Sequence, residues 1–510
     1  MALAIAPPES SETTDYCALP CGVRMPSSVH AVSVSLPTLD DLIGYETGVA
    51  SVMARTPQGY PRFHVHPYIS KLTRLVGGDN FRPEQPILAV SSQRAAAELC
   101  GFAGIAEPML ADLGDFVALA LPDAPAAIGR ARAFLQHTGH GISSRCAEDF
   151  LIRHKVLTQR QAETAFLGAD PAGKARAEIA QLYGADAGDV ALANTGMNAI
   201  YAAYRGLGRI QAAEGRHEWV QFGWLFMDTI KIIEKLKPAG TRSHVIASPL
   251  DLDRLENLLR SRGGSIAGIF TETPSNPLLQ TPDVERLRRL ADRYDCALVI
   301  DATLGTPVNV DVLPWADVVV ESLTKYASGS ADLMMGALIV NRRSRYAGRL
   351  AAEIGEFLAA PYERDVRRLA HRLAGYRERM HRVNQNTMAL VEFFEGRPSV
   401  GRVRWAYQPG SRSNYEKIHR GPQAPGGIIT LELTCPLATI YDPLRLPKGP
   451  TLGVEFTLIG PYLYHSHYDL VSTEEGRSHL RSHGLDPDLL RVSVGIEDPR
   501  WLERSFAQVM

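Results

Sequence analysis

The feature that most constrains the fold of this chain is a series of short apolar runs, without polar alternation, that are separated by helical segments. The runs are at 190–193, 219–223, 244–248, 266–271, 297–301 and 317–321. Between them, apolar residues recur at three- and four-residue spacing in segments 197–206, 229–237, 252–262 and 284–294. Strands that are apolar on both faces and joined by helical crossovers form a mainly parallel sheet with helices on both sides. The sequence therefore predicts a large α/β domain over residues 185–350.

Three further regions flank this domain. Residues 1–27 are rich in Pro, Ser, Thr and Glu and are predicted to form a disordered tail. Residues 28–184 form an N-terminal α/β extension with mixed signals, in which we predict strands at 87–90 and 116–121 and helices at 126–135 and 146–157. Residues 351–510 are predicted to form a smaller α+β C-terminal domain. Its linker is a long helical segment at 349–394, its strands are 427–433 and 490–495, and its last helix starts at Pro499.

Composition and charge exclude several classes of protein. Hydrophobic residues make up 45% of the chain and charged residues 22%, as in an ordinary globular protein. Lys and Arg number 54 and Asp and Glu 56, and the net charge of −2 excludes a protein built around a basic nucleic-acid surface. No apolar run is long enough to span a bilayer, and neither a secretory signal nor a disulfide framework is present. We therefore expect a cytoplasmic enzyme that binds neither membrane nor nucleic acid.

Lys325 follows the predicted strand 317–321, in the segment Ser322-Leu323-Thr324-Lys325, and small residues come after it. Lysines with a lowered pKa form Schiff bases, and hydroxyl groups just before such a lysine can bind a phosphate. A solvated lysine at the start of a loop is the alternative interpretation. Lys325 alone does not distinguish the two.

Two other segments have the same ambiguity when each is taken alone. Asp301 ends the predicted strand 297–301, where a carboxylate can either hold a pyridine nitrogen protonated or cap the next helix. Asn194-Thr195-Gly196-Met197 leads from a strand into a helix. Its amides and glycine suit a phosphate, although an ordinary turn has the same pattern.

Together these segments resemble the Cys/Met-metabolism group of fold-type-I pyridoxal-phosphate (PLP) enzymes. The resemblance runs from about Arg176 to Met510 and rests on five motifs in order, at 195–197, 272–277, 301, 322–326 and 490–498. More narrowly, the chain is similar to the long fungal-type cystathionine γ-synthases, whose N-terminal signature has counterparts at 30–38, 44–48 and 59–63. The resemblance implies an α/β fold-type-I PLP-dependent transferase with a mainly parallel sheet of the seven-stranded type.

The resemblance also implies a role for each matched residue that contacts PLP. Lys325 would form the Schiff base and shuttle protons between Cα and Cγ of the substrate, and Asp301 would pair with the pyridine nitrogen. Asn276 would lie near the phenolic oxygen of PLP. The phosphate would be bound by four residues, Gly196, Met197, Ser322 and Thr324.

The substrate and the partner subunit have implied contacts as well. Arg491, assisted by Thr451, would bind the substrate carboxylate in a bidentate pair. Tyr60 and Arg62 resemble a Tyr-x-Arg element that a neighbouring subunit lends to the cofactor phosphate. We therefore expect a homodimer or homotetramer with a shared active site, to which the extension 28–184 contributes.

The chain departs from the family pattern at two places. Phe222 is predicted to stack on the cofactor ring where relatives have a tyrosine, and Ser330-Ala331 follows the lysine where many relatives have other residues. Phenylalanine can stack but cannot donate a proton to a leaving group. The change is compatible with neutral drift or with a donor, such as S-adenosylmethionine, whose leaving group requires no proton. The histidine pairs His64-x-His66 and His465-x-His467 have no further ligands at a suitable spacing, so no metal site is predicted.

The predicted activity is PLP-dependent γ-replacement through a vinylglycine quinonoid, as in cystathionine γ-synthase acting on an O-acyl-homoserine and cysteine. Three alternatives stay open. The first is a specialised biosynthetic enzyme that joins the vinylglycine unit, from S-adenosylmethionine for example, to a carbon nucleophile. The second is a cystathionine- or methionine-type γ-lyase or a β-lyase. The third is a silent PLP-binding protein, against which the presence of Lys325, Asp301 and Arg491 together argues.

Overall fold

A computed structural model describes residues 18–61, 63–82 and 85–510. The first part consists mainly of helices around a small sheet: α1 (Leu39–Thr47), α2 (Ala50–Met53), α3 (Pro67–Asn80), β1 (Ile87–Val90), α4 (Gln93–Ala103), β2 (Met109–Asp112), β3 (Val117–Ala120), α5 (Pro125–Thr138), α6 (Ser144–Arg153) and α7 (Pro171–Tyr183). The three strands are antiparallel, in the order β1-β3-β2.

The large central sheet and its helices follow in the chain: β4 (Val190–Ala193), α8 (Gly196–Ala212), β5 (Glu218–Phe222), α9 (Met227–Lys235), β6 (Ser243–Ile246), α10 (Leu252–Arg262), β7 (Ile266–Glu272), α11 (Val284–Arg293), β8 (Ala297–Asp301), α12 (Thr306–Asn309), β9 (Val318–Ser322), β10 (Gly336–Val340) and α13 (Ala347–Phe357). The seven strands lie in the order β4-β10-β9-β8-β7-β5-β6.

The predicted α/β fold with a mainly parallel sheet is confirmed. Strands β5 to β9 are parallel to one another, whereas β10 is antiparallel to both β4 and β9. Alternate residues of one strand enter two different cores: Leu298 and Ile300 of β8 pack with α11, and Val299 packs with α8. Burial on both faces is the reason that these strands are continuously apolar.

The last part contains a four-stranded antiparallel sheet of order β11-β12-β14-β13. Its elements are α14 (Glu363–Leu373), α15 (Tyr376–Glu395), β11 (Val400–Arg404), α16 (Arg412–Glu416), β12 (Ile428–Leu433), α17 (Leu437–Tyr441), β13 (Leu458–Gly460), α18 (Tyr462–Ser466), α19 (Tyr468–Val471), α20 (Glu474–Ser482), β14 (Leu490–Ser493) and α21 (Pro499–Ala507). The helical segment predicted at 349–394 is divided into α13, α14 and α15. Pro361 lies at the first interruption, where a proline removes a helical hydrogen bond.

Two details of the ends of the chain differ from or lie outside the prediction. Residues 1–17 of the predicted tail lie outside the described residues. Residues 18–27 correct the prediction, because Arg24 pairs with Val34 in an antiparallel bridge and the side chain of Met25 is fully buried. In the part of the chain that the structure describes, no helix has the length and apolar character needed to cross a membrane.

Candidate active site

The carboxyl ends of the central strands bring the site together. Glu272 ends β7, Asp301 ends β8 and Ser322 ends β9, and the register pairs Glu272 with Asp301. Strand β10 begins at the same edge, where Gly336 pairs with both Ser322 and Ala193. Ligands bind at this edge of open α/β sheets. One cavity opens here, and every described candidate residue except Phe222 lines it.

Lys325 follows Ser322 by one turn and lies on the wall of the cavity. Its Nζ donates to Thr451 Oγ1 at 3.1 Å and to the Tyr60 hydroxyl at 3.3 Å. Nζ also lies 4.7 Å from the centre of the Tyr60 ring. The backbone of Gly453 approaches closely, and a Cβ added there would lie 2.9 Å from Lys325 Cβ. These contacts hold the amine in the cavity instead of in solvent.

The amino terminus of α8 forms one end of the cavity. Thr195 caps the helix by accepting from the amide of Asn198 at 3.0 Å, which leaves the amides of Gly196 and Met197 at the cavity wall. A Cβ added to Gly196 would lie 2.9 Å from Ser322 Oγ, so the serine packs directly against the first turn. Helix N-termini with free amides bind anions, phosphate above all. The hydroxyl of Thr324 is engaged with the backbone of Met335 at 3.3 Å.

Three buried carboxyl groups lie along the strand ends. Burial raises the pKa of Asp301, which also accepts from the Thr303 amide at 2.9 Å. Burial and the nearby Asp301 raise the pKa of Glu272 well above its usual range. Burial raises the pKa of Glu321 to about 7. A cation beside Asp301 would stabilise the ionised form of these carboxyl groups and lower their pKa values.

Arg491 of β14 forms the opposite wall and is buried. Burial lowers the pKa of its guanidinium, which lies 4.9 Å from the centre of the Tyr462 ring and donates to Thr451 O at 3.4 Å. Among the residues that the structure describes, none supplies a carboxylate that pairs with Arg491. Asn276 lies on the same wall, and its buried Oδ1 has no hydrogen-bond partner among the described residues. Both groups are therefore available to a bound carboxylate or ligand hydroxyl.

The structure corrects the expectation that a neighbouring subunit supplies Tyr60. Tyr60 lies in the cavity of its own chain, in contact with Lys325. The segment around it is held there by Gln58, whose side chain donates to Val29 O and Ala31 O, and by the Tyr45 hydroxyl, which accepts from the Tyr60 amide at 3.1 Å. Arg62, the second residue of the predicted element, lies outside the described residues.

The prediction for Phe222 is also corrected. Phe222 ends β5 with its side chain fully buried in the core and does not line the cavity. Phe226, four residues later, lines it instead, and its amide donates to Glu272 Oε1 at 2.5 Å. Strand β5 ends before the loop that follows it reaches the cavity, so the predicted aromatic residue lies four residues too early in the chain. The ring at this wall is still a phenylalanine, without a hydroxyl.

Several residues of the cavity were not predicted to have a role there. They come from α1 and α18, from the segment between α2 and α3 and from the loop before α9, and comprise Tyr45, Glu46, Phe63, Phe226, Tyr462 and His465. Glu46 lies in the segment 44–48, which carries part of the family resemblance, and His465 belongs to the pair His465-x-His467, but only the tertiary structure joins them. Among the described residues, no three His, Cys, Asp or Glu side chains form a group that could hold a metal ion.

Comparison with known proteins agrees with this geometry. Residues 173–510 match the family described as Cys/Met metabolism PLP-dependent enzyme. The chain belongs to this family. It is therefore a PLP-dependent enzyme that acts at the γ-carbon of an amino acid.

Two relatives span almost the whole chain. The L-2-amino-4-chloropent-4-enoate dechlorinase/desaturase of Streptantibioticus cattleyicolor is 43% identical over 94% of this chain and 96% of its own length. The cystathionine gamma-synthase of Neurospora crassa is 30% identical over 96% and 97%. Among solved structures, cystathionine gamma synthase from Xanthomonas oryzae pv. oryzae in complex with aminoacrylate and cysteine has a TM-score of 0.58 at 22% identity, covering 69% of this chain and 87% of that one. This last similarity shows the fold.

The residues present fit PLP. The first turn of α8 with Ser322 suits a phosphate, the buried Asp301 suits a protonated ring nitrogen, and Lys325 supplies an amine between them. The carboxyl groups with raised pKa at the strand ends are an environment that a cationic ring would stabilise. Bound PLP supplies the carbonyl to which amino groups attach and the ring that accepts electrons from the substrate.

Proposed function

We propose that this enzyme eliminates an uncharged substituent, such as chlorine, from the γ-carbon of a small amino acid and leaves an unsaturated side chain. The observation that carries the proposal is the charge of the cavity. Among its described lining residues, the permanent cations are Lys325 and Arg491. Lys325 is required for the cofactor and Arg491 for the α-carboxylate, so no described lysine or arginine is left for a second carboxylate.

The remaining wall is aromatic and aliphatic. It includes Tyr45, Phe63, Phe226, Leu304 and Met334. An apolar wall of this kind binds a hydrocarbon or halogenated side chain better than a succinyl group or a second amino acid, whose charges would lose water without a partner.

Phe226 supports the same conclusion. A phenylalanine ring cannot protonate a departing group, whereas chloride leaves as a stable anion and needs no proton. The relative that is 43% identical is named for dechlorination and desaturation. These two observations favour a halogenated substrate over a thiol- or carboxylate-releasing one.

In this reaction the chain's own residues have separate tasks. Arg491 binds the substrate carboxylate, with Thr451 beside it. Lys325 Nζ takes the proton from Cα and moves protons along the side chain, guided by its hydrogen bonds to Thr451 and Tyr60. When PLP is bound, Asp301 would hold its ring nitrogen protonated. Gly196, Met197 and Ser322 would bind its phosphate, and Asn276 would lie near its phenolic oxygen.

The test is to add L-2-amino-4-chloropent-4-enoate to the PLP-loaded enzyme and to measure chloride release and the mass of the amino-acid product. Loss of the elements of HCl with retention of the amino group is expected. In parallel, O-acetyl-homoserine, O-succinyl-homoserine and S-adenosylmethionine are supplied with and without cysteine. Formation of cystathionine at a higher kcat/KM than chloride release would overturn the proposal.

Cystathionine formation is the second candidate, because the Neurospora crassa cystathionine gamma-synthase is similar over almost its whole length. It requires a cation for the carboxylate of cysteine beyond those that the described residues supply. A visible spectrum recorded with each donor alone separates the candidates. Only a donor that loses its γ-substituent should give a long-lived absorption band, and that band should disappear when an acceptor such as cysteine is added.

A further inference from the structure

We propose that His465, oriented by Glu46, is a second acid–base residue that acts on the outer end of the substrate side chain, at the carbon beyond Cγ. The inference rests on the proposed function and deepens it, because a triple bond at Cγ requires removal of a proton from the carbon beyond Cγ, which lies outside the Cα-to-Cγ range in which Lys325 moves protons. His465 would be the catalytic residue and Glu46 its positioning residue.

The two side chains lie on the wall of the same cavity as Lys325, although they come from opposite ends of the chain. Glu46 is in α1 and His465 is in α18. His465 Nδ1 lies 3.1 Å from Glu46 Oε1, and the side chains are 6% and 21% exposed. The pair therefore belongs to the substrate cavity rather than to the protein surface.

The other imidazole nitrogen has no partner. His465 Nε2 is buried and forms no hydrogen bond within the described part of the chain. A buried nitrogen without a partner is costly unless a ligand satisfies it. With Glu46 accepting the Nδ1 proton, the imidazole is held in the tautomer whose Nε2 carries a lone pair.

Other acidic groups of the cavity are already engaged. Glu272 accepts from the amides of Phe226 and Asn276 at 2.5 and 3.2 Å. Glu321 accepts from the hydroxyls of Tyr183 and Tyr376 at 2.8 and 2.7 Å.

Of the three described tyrosines of the wall, Tyr60 accepts from Lys325 Nζ, and Tyr45 and Tyr462 are poor proton donors and acceptors near neutral pH. Burial raises the pKa of both Tyr45 and Tyr462 well above the usual value for tyrosine. Among the described lining residues, His465 is therefore the best placed to receive a proton from the outer part of the substrate.

The step balances without an oxidant or a reductant. Lys325 takes the protons from Cα and Cβ, and the electrons of the Cβ–H bond form a π bond to Cγ while the electrons of the bond from Cγ to chlorine leave with chloride. Nε2 of His465 then accepts a proton from the carbon beyond Cγ, and the electrons of that C–H bond form the second π bond between this carbon and Cγ as the Cβ–Cγ π electrons take up a proton at Cβ. Lys325 returns the protons to Cβ and Cα, so the net change is loss of HCl and the product has a terminal triple bond.

The experiment compares two proton transfers in the same PLP-loaded variants. Formation of the terminal triple bond from L-2-amino-4-chloropent-4-enoate, followed by NMR of the amino-acid product, reports the outer step, and exchange of the Cα proton with deuterium from D₂O reports the step of Lys325. In His465→Gln, we expect formation of the triple bond to fall about 100-fold or more while Cα exchange stays within about threefold of wild type, as for loss of a general base. Glu46→Gln should show the same split, with a loss of about tenfold.

The matched control is His244→Gln. His244 Nε2 pairs with Glu218 at 2.8 Å outside the cavity, so the same chemistry is removed without contact with substrate. This variant should keep both rates. In His465→Ala, added imidazole should restore formation of the triple bond, which a merely structural role of His465 would not allow.

The possible failures are distinct. If wild type releases no chloride, the proposed function is wrong and the inference falls with it. If wild type releases chloride but forms no triple bond, or if His465→Gln forms it at the wild-type rate, the inference alone is wrong. If His465→Gln loses Cα exchange and formation of the triple bond equally and imidazole restores neither, His465 is structural and the inference is again wrong.

Discussion

Lys325 is the residue on which the proposed chemistry depends, and its amine is held in the cavity by Thr451 and Tyr60. In Lys325→Ala we expect loss of turnover and loss of the visible absorbance that PLP has when it is bound to a lysine. Absorbance and chloride release measure the two effects. Lys417, which pairs with Asp283 at the surface, provides the control, and Lys417→Ala should keep both. Turnover retained by Lys325→Ala would contradict the assignment.

Arg491 is a buried guanidinium that lacks a described carboxylate partner, so a substrate carboxylate is its natural ligand. Arg491→Ala should weaken binding of the amino-acid substrate by about 2–5 kcal/mol, the range for removal of one member of a buried ion pair. Titration of the substrate into the PLP-loaded enzyme measures the change. Arg491→Lys should recover part of the affinity, and an unchanged affinity in Arg491→Ala would show that the carboxylate binds elsewhere.

Glu321 makes stability depend on pH. Burial raises its pKa from the ordinary 4.5 to about 7, against the opposing hydroxyls of Tyr183 and Tyr376. Between these values the folded chain holds a proton that the unfolded chain has released. The resulting stability is fully present below about pH 4.5 and is lost as the pH rises through 7.

Glu321→Gln cannot ionise and removes this dependence. We compare the free energy of unfolding of Glu321→Gln with that of wild type at each pH. The value of the variant minus that of wild type should rise by about 3 kcal/mol from the acidic to the alkaline side of that window. Denaturant unfolding at about pH 5 and about pH 8 measures the difference. The exposed Glu378→Gln is the control, and a parallel pH dependence in Glu321→Gln and wild type would contradict the expectation.

At the scale of elements, the α8 terminus and the start of β10 must approach closely for the site to form. A Cβ on Gly196 would lie 2.8 Å from Ser322 Cβ, and a Cβ on Gly336 would lie 2.5 Å from Thr195 O. Gly196→Ala should therefore lower PLP affinity by at least about tenfold, the equivalent of a modest overpacking penalty. Equilibrium titration of the apoenzyme with PLP measures the affinity.

Gly208 in the same helix is the control. The nearest atom to a Cβ there is 4.0 Å away on Trp219, so the substitution has room. Gly208→Ala should keep PLP affinity and raise the free energy of unfolding by up to about 1 kcal/mol, because alanine favours a helix interior. Equal losses of affinity in the two variants would show that α8 tolerates no alanine and that the close approach at Gly196 is not special.

At the scale of the whole molecule, the N-terminal segment folds back over its own C-terminal half. Val32 N donates to Ala331 O at 2.7 Å, the Tyr441 hydroxyl donates to Leu36 O at 2.7 Å, and Lys448 Nζ donates to Pro37 O at 2.6 Å. This path delivers Glu46 and Tyr60 to the cavity. A homodimer or homotetramer stays a prediction, but the described site does not need Tyr60 of a neighbour.

Co-expression of Tyr60→Ala and Lys325→Ala chains tests this arrangement. With Tyr60 acting in its own chain, each mixed oligomer contains only damaged sites, so activity should not exceed the sum of the separate variants. With Tyr60 lent across subunits, one site of a mixed dimer would be intact, and activity would recover. Co-purification through two different tags, with wild type and Lys325→Ala as the control pair, shows that mixed oligomers formed.

The sequence by itself determined the parts that depend on local pattern. Continuous apolar strands and amphipathic helices predicted the α/β fold. Asp301, Ser322 and Lys325 were predicted to lie in the site because each stands at or just after the end of a strand, which fixes its position. The tertiary structure decided what depends on contacts far apart in the chain. It placed Tyr60 in the cavity of its own chain and showed that Phe226, not Phe222, lines that cavity. It also brought Glu46 into contact with His465, which lies 419 residues later in the chain. Local periodicity contains no information about which distant loops share a cavity, because that is set by the packing of whole elements.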